Sequence, residues 1–221
     1  FQDALVLGTD VVVRGTTRVV FESTVDSQAG ESNNLVVNSP LTTFNGSLGN
    51  AAVDTFLGIL QTNADGTTTI NAPFVKGEIV QFQDQVIVGV DTVVRGTTRV
   101  VFDQTIDSEA GESNNLVINS PLTTLNGDVG NAGADTFMGI FQTNTDGTTL
   151  VNAAFVKGEI VQFQDAVTLG QNTVVRGSTR VTFDGSVDSE PAEGNSLIVN
   201  SPLTTFNGAI RPSGRTSRPL I

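Results

Sequence analysis

The chain has 221 residues, 11 basic against 23 acidic side chains and a net charge of −12, with no Cys, His, Trp or Tyr. Without thiols there is no disulfide framework or thiolate metal site, and without His as well the common nucleophile–base pairs of covalent catalysis are absent. The negative charge repels nucleic acid and anionic membrane at long range, and no apolar run reaches the roughly 18 residues that a membrane-spanning helix needs. In chain order, Phe1-Gln2-Asp3 returns as Phe82-Gln83-Asp84 and again as Phe163-Gln164-Asp165, 81 residues apart each time, with VVRGTTRV and FVKGEIVQ aligned without insertion. A period of this kind marks units that bury their apolar sides against one another, so residues 1–210 form one elongated domain (repeats 1–81, 82–162 and a partial 163–210), followed by a tail, 211–221. Phe1 opens on a repeat boundary, as a processed product or an excerpt of a longer array does.

Within each repeat a shorter pattern recurs: an apolar residue, an amide or acid, a turn residue, any residue, then a second apolar residue. It starts at Phe1, Phe21, Phe44 and Ile70 in the first copy, and its apolar partner four places on is Leu5, Val25, Leu48 and Phe74. Spacing by four also fits a helix, but Asn45-Gly46, Asn126-Gly127 and Asn207-Gly208, set among Thr and Val, are turn and strand chemistry. In a straight strand the middle position shares the buried face. Asp3, Asp84 and Asp165 stand there, which places a corner between the apolar residues. Corners follow at steps of 20, 23, 26 and 12 residues, with polar excursions between them. Similar sides with loop-outs of variable length are the pattern of a β-solenoid. Four coils per repeat are expected, with three longer coils as the alternative, because 12 residues make a short coil. At the spacing of stacked strands, the eleven corners give a rod on the order of 48 Å long.

Stacking then predicts two columns. Phe1, Phe21, Phe44, Ile70 and Phe82 form an internal ladder. The residues after them, Gln2, Glu22, Asn45, Asn71 and Gln83, form an outer ladder of amides with one acid per repeat, which keeps carboxylates from stacking on one another.

The segments FNGSLG, FQDAVTLG, VTFDGSVD and NSLIVNSPLTTFNGAI resemble the repetitive passengers of filamentous-haemagglutinin-like and autotransporter-type bacterial surface proteins, over Phe1 to Ile210. The resemblance implies a right-handed parallel β-helix and a secreted adhesin or surface fibre, located outside the cell or on its surface. The secretion domain and membrane barrel of such proteins have no counterpart in this sequence.

Four features carry potential chemistry. Arg14 and Arg18, with Arg95, Arg99, Arg176 and Arg180, are expected to pair with acids such as Glu22, Asp103 and Asp184 on neighbouring coils; an anionic glycan is the alternative partner. Asn63-Ala64-Asp65-Gly66 and Asn144-Thr145-Asp146-Gly147 share the Asp-Gly turn of calcium loops without the further acids, and read as turns. Asp26 with Glu31, Asp107 with Glu112 and Asp188 with Glu193 read as solvated loops. Phe56, Ile59, Phe137 and Ile140 read as core, with an exposed apolar stripe as the alternative.

No catalytic residue, cofactor or metal site is expected, since an active site is a singular constellation and every suggestive group here comes in two or three copies. The function expected is a structural repeat protein of an extracellular fibre, assembling head to tail with itself; the alternative is an adhesin stalk or glycan-binding module, with surface glycans as partners. Neither nucleic acid nor membrane insertion is expected. The joint is assigned to Phe1 at one end and to Arg211, Arg215 and Arg218 at the other, because RPSGRTSRPLI breaks the repeat and carries three cations and no acid. Such a tail caps its own acidic rod or clasps the next subunit, and the clasp is the reading adopted, since head-to-tail contacts that do not close propagate into filaments.

Overall fold

The computed structural model describes residues 1–49, 56–130 and 137–211. Every regular element among them is a β-strand, and every strand pairing is parallel. The chain is a β-solenoid of about ten coils. Three faces run along it. The first stacks Leu5–Leu7 on Val25–Ser27 and continues through bridges at Leu48 to residues 74–77 and 92–96. The second stacks Val11–Arg14, Leu35–Asn38 and Leu57–Thr62. The third stacks Val19–Phe21, Leu41–Phe44 and Thr67–Ile70. Side chains alternate along each strand, so Val25, Leu35, Val37, Phe44, Leu60 and Ile70 point inward and are wholly buried. One continuous core results, running through the coils from Leu7 to Val187.

The solenoid, its corners and the inward side of each strand are as expected. The expectation of about four coils per repeat is sharpened by the register. Between Leu5 and Phe82 the chain makes eleven sides: eight strands from Leu5–Leu7 to Thr67–Ile70, the bridge at Leu48 and the two halves of Phe74–Phe82. Eleven sides on three faces are 11/3, or three and two-thirds, coils. The column from Phe1 shows the same remainder. It passes through Phe21, Phe44 and Ile70 to Val88, so four coils take 88 − 1 = 87 residues, not 81. Each repeat therefore begins one face behind the last. Leu5 lies on the first face, Val86 on the third beside Thr68, and Val167 on the second beside Thr149.

This corrects the predicted internal ladder. Ile70 stacks on Val88. Phe82 belongs to a different column: its strand lies on Leu57–Thr62 and carries Phe102 above it. The aromatic stack is thus three short ladders on three faces: Phe1–Phe21–Phe44, Phe82–Phe102 and Phe163–Phe183–Phe206, with ring centroids 5.0–5.3 Å apart. The 12-residue step from Ile70 to Phe82 is two sides of a triangle and not a coil, which is why it looked too short.

The outer ladder breaks at the same places. Asn71 donates to Asn45, and Asn45 to Glu22. Above Asn71 comes Gly89 in place of Gln83, and a Cβ on Gly89 would collide with the Asn71 side-chain oxygen. Gly170 stands in the same relation to Asn152. The glycine terminates each ladder where the repeat turns to the next face.

Candidate functional site

The basic residues gather at one kind of corner. In Thr92–Phe102 the strand bends at residues 96–99, where its register against the coil below shifts. The first repeat shows why glycine is needed there: a Cβ on Gly15 would lie 2.7 Å from the Arg18 carbonyl oxygen. The bend places Arg95 before the corner and Arg99 after it. Strand pairing sets Arg95 between Lys76 and Asn119, and Arg176 between Lys157 and Asn200, while Arg14 pairs with Asn38. Lys76 lies nearly buried, 6 % exposed, with its ammonium 4.8 Å from the centre of the Phe56 ring; Lys157 sits 5.0 Å from that of Phe137. These are cation–π contacts. Phe56, Ile59, Phe137 and Ile140 are all half-buried, so they form neither a wholly buried core nor an exposed stripe.

The expected pairing of the arginines with Glu22, Asp103 and Asp184 is not what the structure shows. Those carboxylates are taken by amides of adjacent coils: Asp103 accepts from Gln81 and Asn126, both at 2.7 Å, and Asp184 from Gln162 and Asn207 at 2.9 and 2.7 Å. Glu22 accepts from Asn45 at 2.5 Å. Asn45, Asn126 and Asn207 stand in register with these carboxylates one coil away, and Gln81 and Gln162 reach Asp103 and Asp184 from two positions back, whereas the arginines are exposed at a different corner. Shallow grooves open beside them: one lined by Arg95, Thr97, Asn119, Asn144 and Asp146, another by Phe137, Lys157, Arg176, Ser178 and Asn200.

The Asp-Gly segments are bends between strands, and an asparagine braces each. Asn63 accepts from the Ser39 backbone N–H and donates to the Asp65 carbonyl, and Asn144 repeats this with Ser120 and Asp146. The acidic excursions are held by their own side chains: Ser27 Oγ accepts from the Asn33 N–H, and the Asn33 side chain donates to Glu31 and to the Leu7 carbonyl. Asn114 and Asn195 do the same with Glu112 and Glu193. Burial pushes the Asp26 carboxyl above its ordinary value. Among the described residues no cluster of three or more metal-ligating side chains is found.

Two carboxylates escaped sequence reasoning. Asp84 and Asp165 occupy corners, as predicted, but turn inward and are 1 % and 2 % exposed. On the coil below Asp84, the excursion at residues 63–66 bulges outward, and the carboxylate fills the space left inside. It accepts from Thr62 Oγ1 at 2.5 Å and from Thr68 Oγ1 at 2.8 Å. Asp165 accepts likewise from Thr143 at 2.6 Å and Thr149 at 2.7 Å. Desolvation raises both carboxyls above the ordinary carboxylate value, and the hydroxyl bonds pull partly back. The signal was present: in both copies a Thr flanks each side of the loop, 22 and 16 residues before the Asp.

Of the assembly residues, Phe1 is 55 % exposed, with its ring stacked on Phe21 and its ammonium donating to the Val20 carbonyl. Arg211 lies in the short strand Ile210–Arg211, in register with Asp188, so the solenoid extends one residue into the proposed tail. Arg215 and Arg218 lie outside the described residues. No protein-family model, curated protein or solved structure matches this chain.

Proposed function

We propose that the chain is a structural repeat protein that contributes to an extracellular fibre by end-to-end stacking of solenoids. The observation that carries this reading is the rotation of the repeat by one face. Copies of a given surface residue, such as Arg14, Arg95 and Arg176, stand on the second, first and third faces. Among the described residues no single face carries all three copies, as suits a spacer or filament. Stacked coils also offer unpaired backbone donors and acceptors wherever a coil is left uncovered. Phe1 at one end, and Leu203 and Ile210 at the other, are each more than half exposed. The joint rests on Phe1 meeting the basic segment of Arg211, Arg215 and Arg218, which complements the acidic remainder of the rod.

Negative-stain microscopy of the chain with and without residues 211–221 tests this. Filaments that require the segment are expected at high protein concentration and low salt. Monodisperse short rods from the intact chain under those conditions overturn the fibre and return the protein to the adhesin-stalk or glycan-binding reading.

A further inference from the structure

Asparagine is abundant in this chain and, among the described residues, serves almost always for internal bonding. Among the described residues, Asn33, Asn45, Asn71, Asn114, Asn126 and Asn152 all donate through their side chains to neighbouring coils or loops. Asn34, Asn63, Asn115, Asn144, Asn172, Asn195 and Asn207 are likewise engaged. The exceptions are Asn38, Asn119 and Asn200, which are equivalent positions of the three repeats, and each is exposed and in register with an exposed arginine: Arg14, Arg95 and Arg176. Those three arginines make no hydrogen bond or ion pair through their side chains among the described residues, because the acids that might have held them are bonded to amides. In the second and third repeats a lysine in register on the coil beneath adds a like charge, Lys76 or Lys157. Adjacent like charges on paired strands are destabilising. A protein with twice as many acids as bases has placed cations together, beside a free amide, in an open groove. The local acids are Glu78 and Glu159, which lie at the bend itself, opposite the bulged residues after Gly96 and Gly177, and Asp146, which lines the Arg95 groove beyond Asn119.

The geometry points to a carbohydrate site in each repeat: the Arg–Asn pair binds an acidic sugar, the guanidinium taking the carboxylate of a uronic acid and the amide on the next coil taking a ring hydroxyl. A guanidinium presents two parallel N–H donors to a carboxylate, and an amide both donates and accepts, as a hydroxyl requires. The spacing between coils, about 4.8 Å, sets the two groups about one sugar unit apart. The groove continues past Asn119 with Ser120 and Thr145. Nucleic acid fits less well, because its dense phosphate charge meets a strongly acidic rod. The Lys-backed sites at Arg95 and Arg176 are the stronger ones. Since the three sites face three directions, a straight saccharide chain lying along the rod engages one of them at a time. The inference concerns ligand binding alone and does not depend on fibre formation.

Calorimetric titration of the intact chain with tetragalacturonate at low salt tests it, with maltotetraose as the neutral control and sodium sulfate as the simple anion. Binding to tetragalacturonate and not to maltotetraose is expected, with two tighter sites per chain. Arg95→Gln should remove one of the two, and Arg95→Gln with Arg176→Gln should weaken binding about tenfold or more. Asn119→Ala should weaken that site while leaving sulfate binding unchanged, a readout that loss of charge alone does not produce. Unaltered melting temperature and unaltered filament formation in these variants separate this result from the fibre reading. The proposal is overturned if tetragalacturonate does not bind, if the double variant binds as well as the parent, or if sulfate competes at equal concentration.

Discussion

Asp3 and Asp84 are the same residue of the same repeat text, in Phe-Gln-Asp followed by an apolar strand, yet one is exposed and the other is sealed into the core between two threonine hydroxyls. The difference lies beneath them. Asp84 rests on a coil whose loop at residues 63–66 bulges outward between Thr62 and Thr68, whereas no coil of the described chain lies under Asp3. Burial in a solenoid is conferred by the neighbouring coil and not by the segment itself. Identical sequences therefore differ in stability contribution, ionisation and tolerance to substitution according to where they sit in the stack.

The sharpest test of this comparison is at the aromatic ladder. Phe102 is fully buried and stacked on Phe82, whereas Phe1 is more than half exposed. Phe102→Asp should destabilise by more than the roughly 3–5 kcal/mol of a large core truncation, since it adds an unpaired buried charge, and should abolish cooperative urea unfolding. Phe1→Asp should shift the urea midpoint little. Comparable losses from both would show that position in the stack does not decide burial.

A smaller effect is expected at the ladder ends. Gly89→Ala drives a methyl into the Asn71 amide oxygen, whereas Gly8→Ala meets only Gln28 Oε1 at 3.3 Å, the end of a longer side chain. The first should cost about 1–3 kcal/mol by overpacking and the second much less, read from thermal melts of the two variants. Equal melts would mean that the Asn71 amide swings aside and that the glycine does not terminate the ladder.

The mildest effect is one of pH. Asp84 and Asp165 are held above the ordinary carboxylate value of 3.8 by burial. Between that value and their raised folded-state values the native chain binds more protons than the unfolded one, so their contribution to stability falls as pH rises through that window and recovers as pH is lowered. Urea midpoints measured across the acidic range should show this slope in the parent and a shallower one in Asp84→Asn with Asp165→Asn, where the raised Asp26 carboxyl remains. Asp3→Asn should leave it intact. A parent and a double variant with parallel profiles would contradict the burial assigned to these carboxyls.

Much of the molecule was readable from local chemistry. The recurring apolar pair with a polar residue between, the Asn-Gly corners and the Val- and Thr-rich sides determined strands, corners and inward faces, because each depends on residues within a few positions of one another. The amide ladder was legible within a repeat because the same corner motif recurs at each coil, although its rungs join residues 23 and 26 positions apart. The sequence also contained the Asp-Gly turns in a form that identified them as turns. What only the tertiary structure decided was which corner stands on which. That depends on how many sides close a coil, a property of the whole cross-section and of no single segment, and eleven sides on three faces leave a remainder that no local pattern announces. From that remainder follow the broken aromatic ladder, the glycines that end the amide columns, the buried Asp84 and Asp165, and the display of each Arg–Asn pair on a different face of the rod.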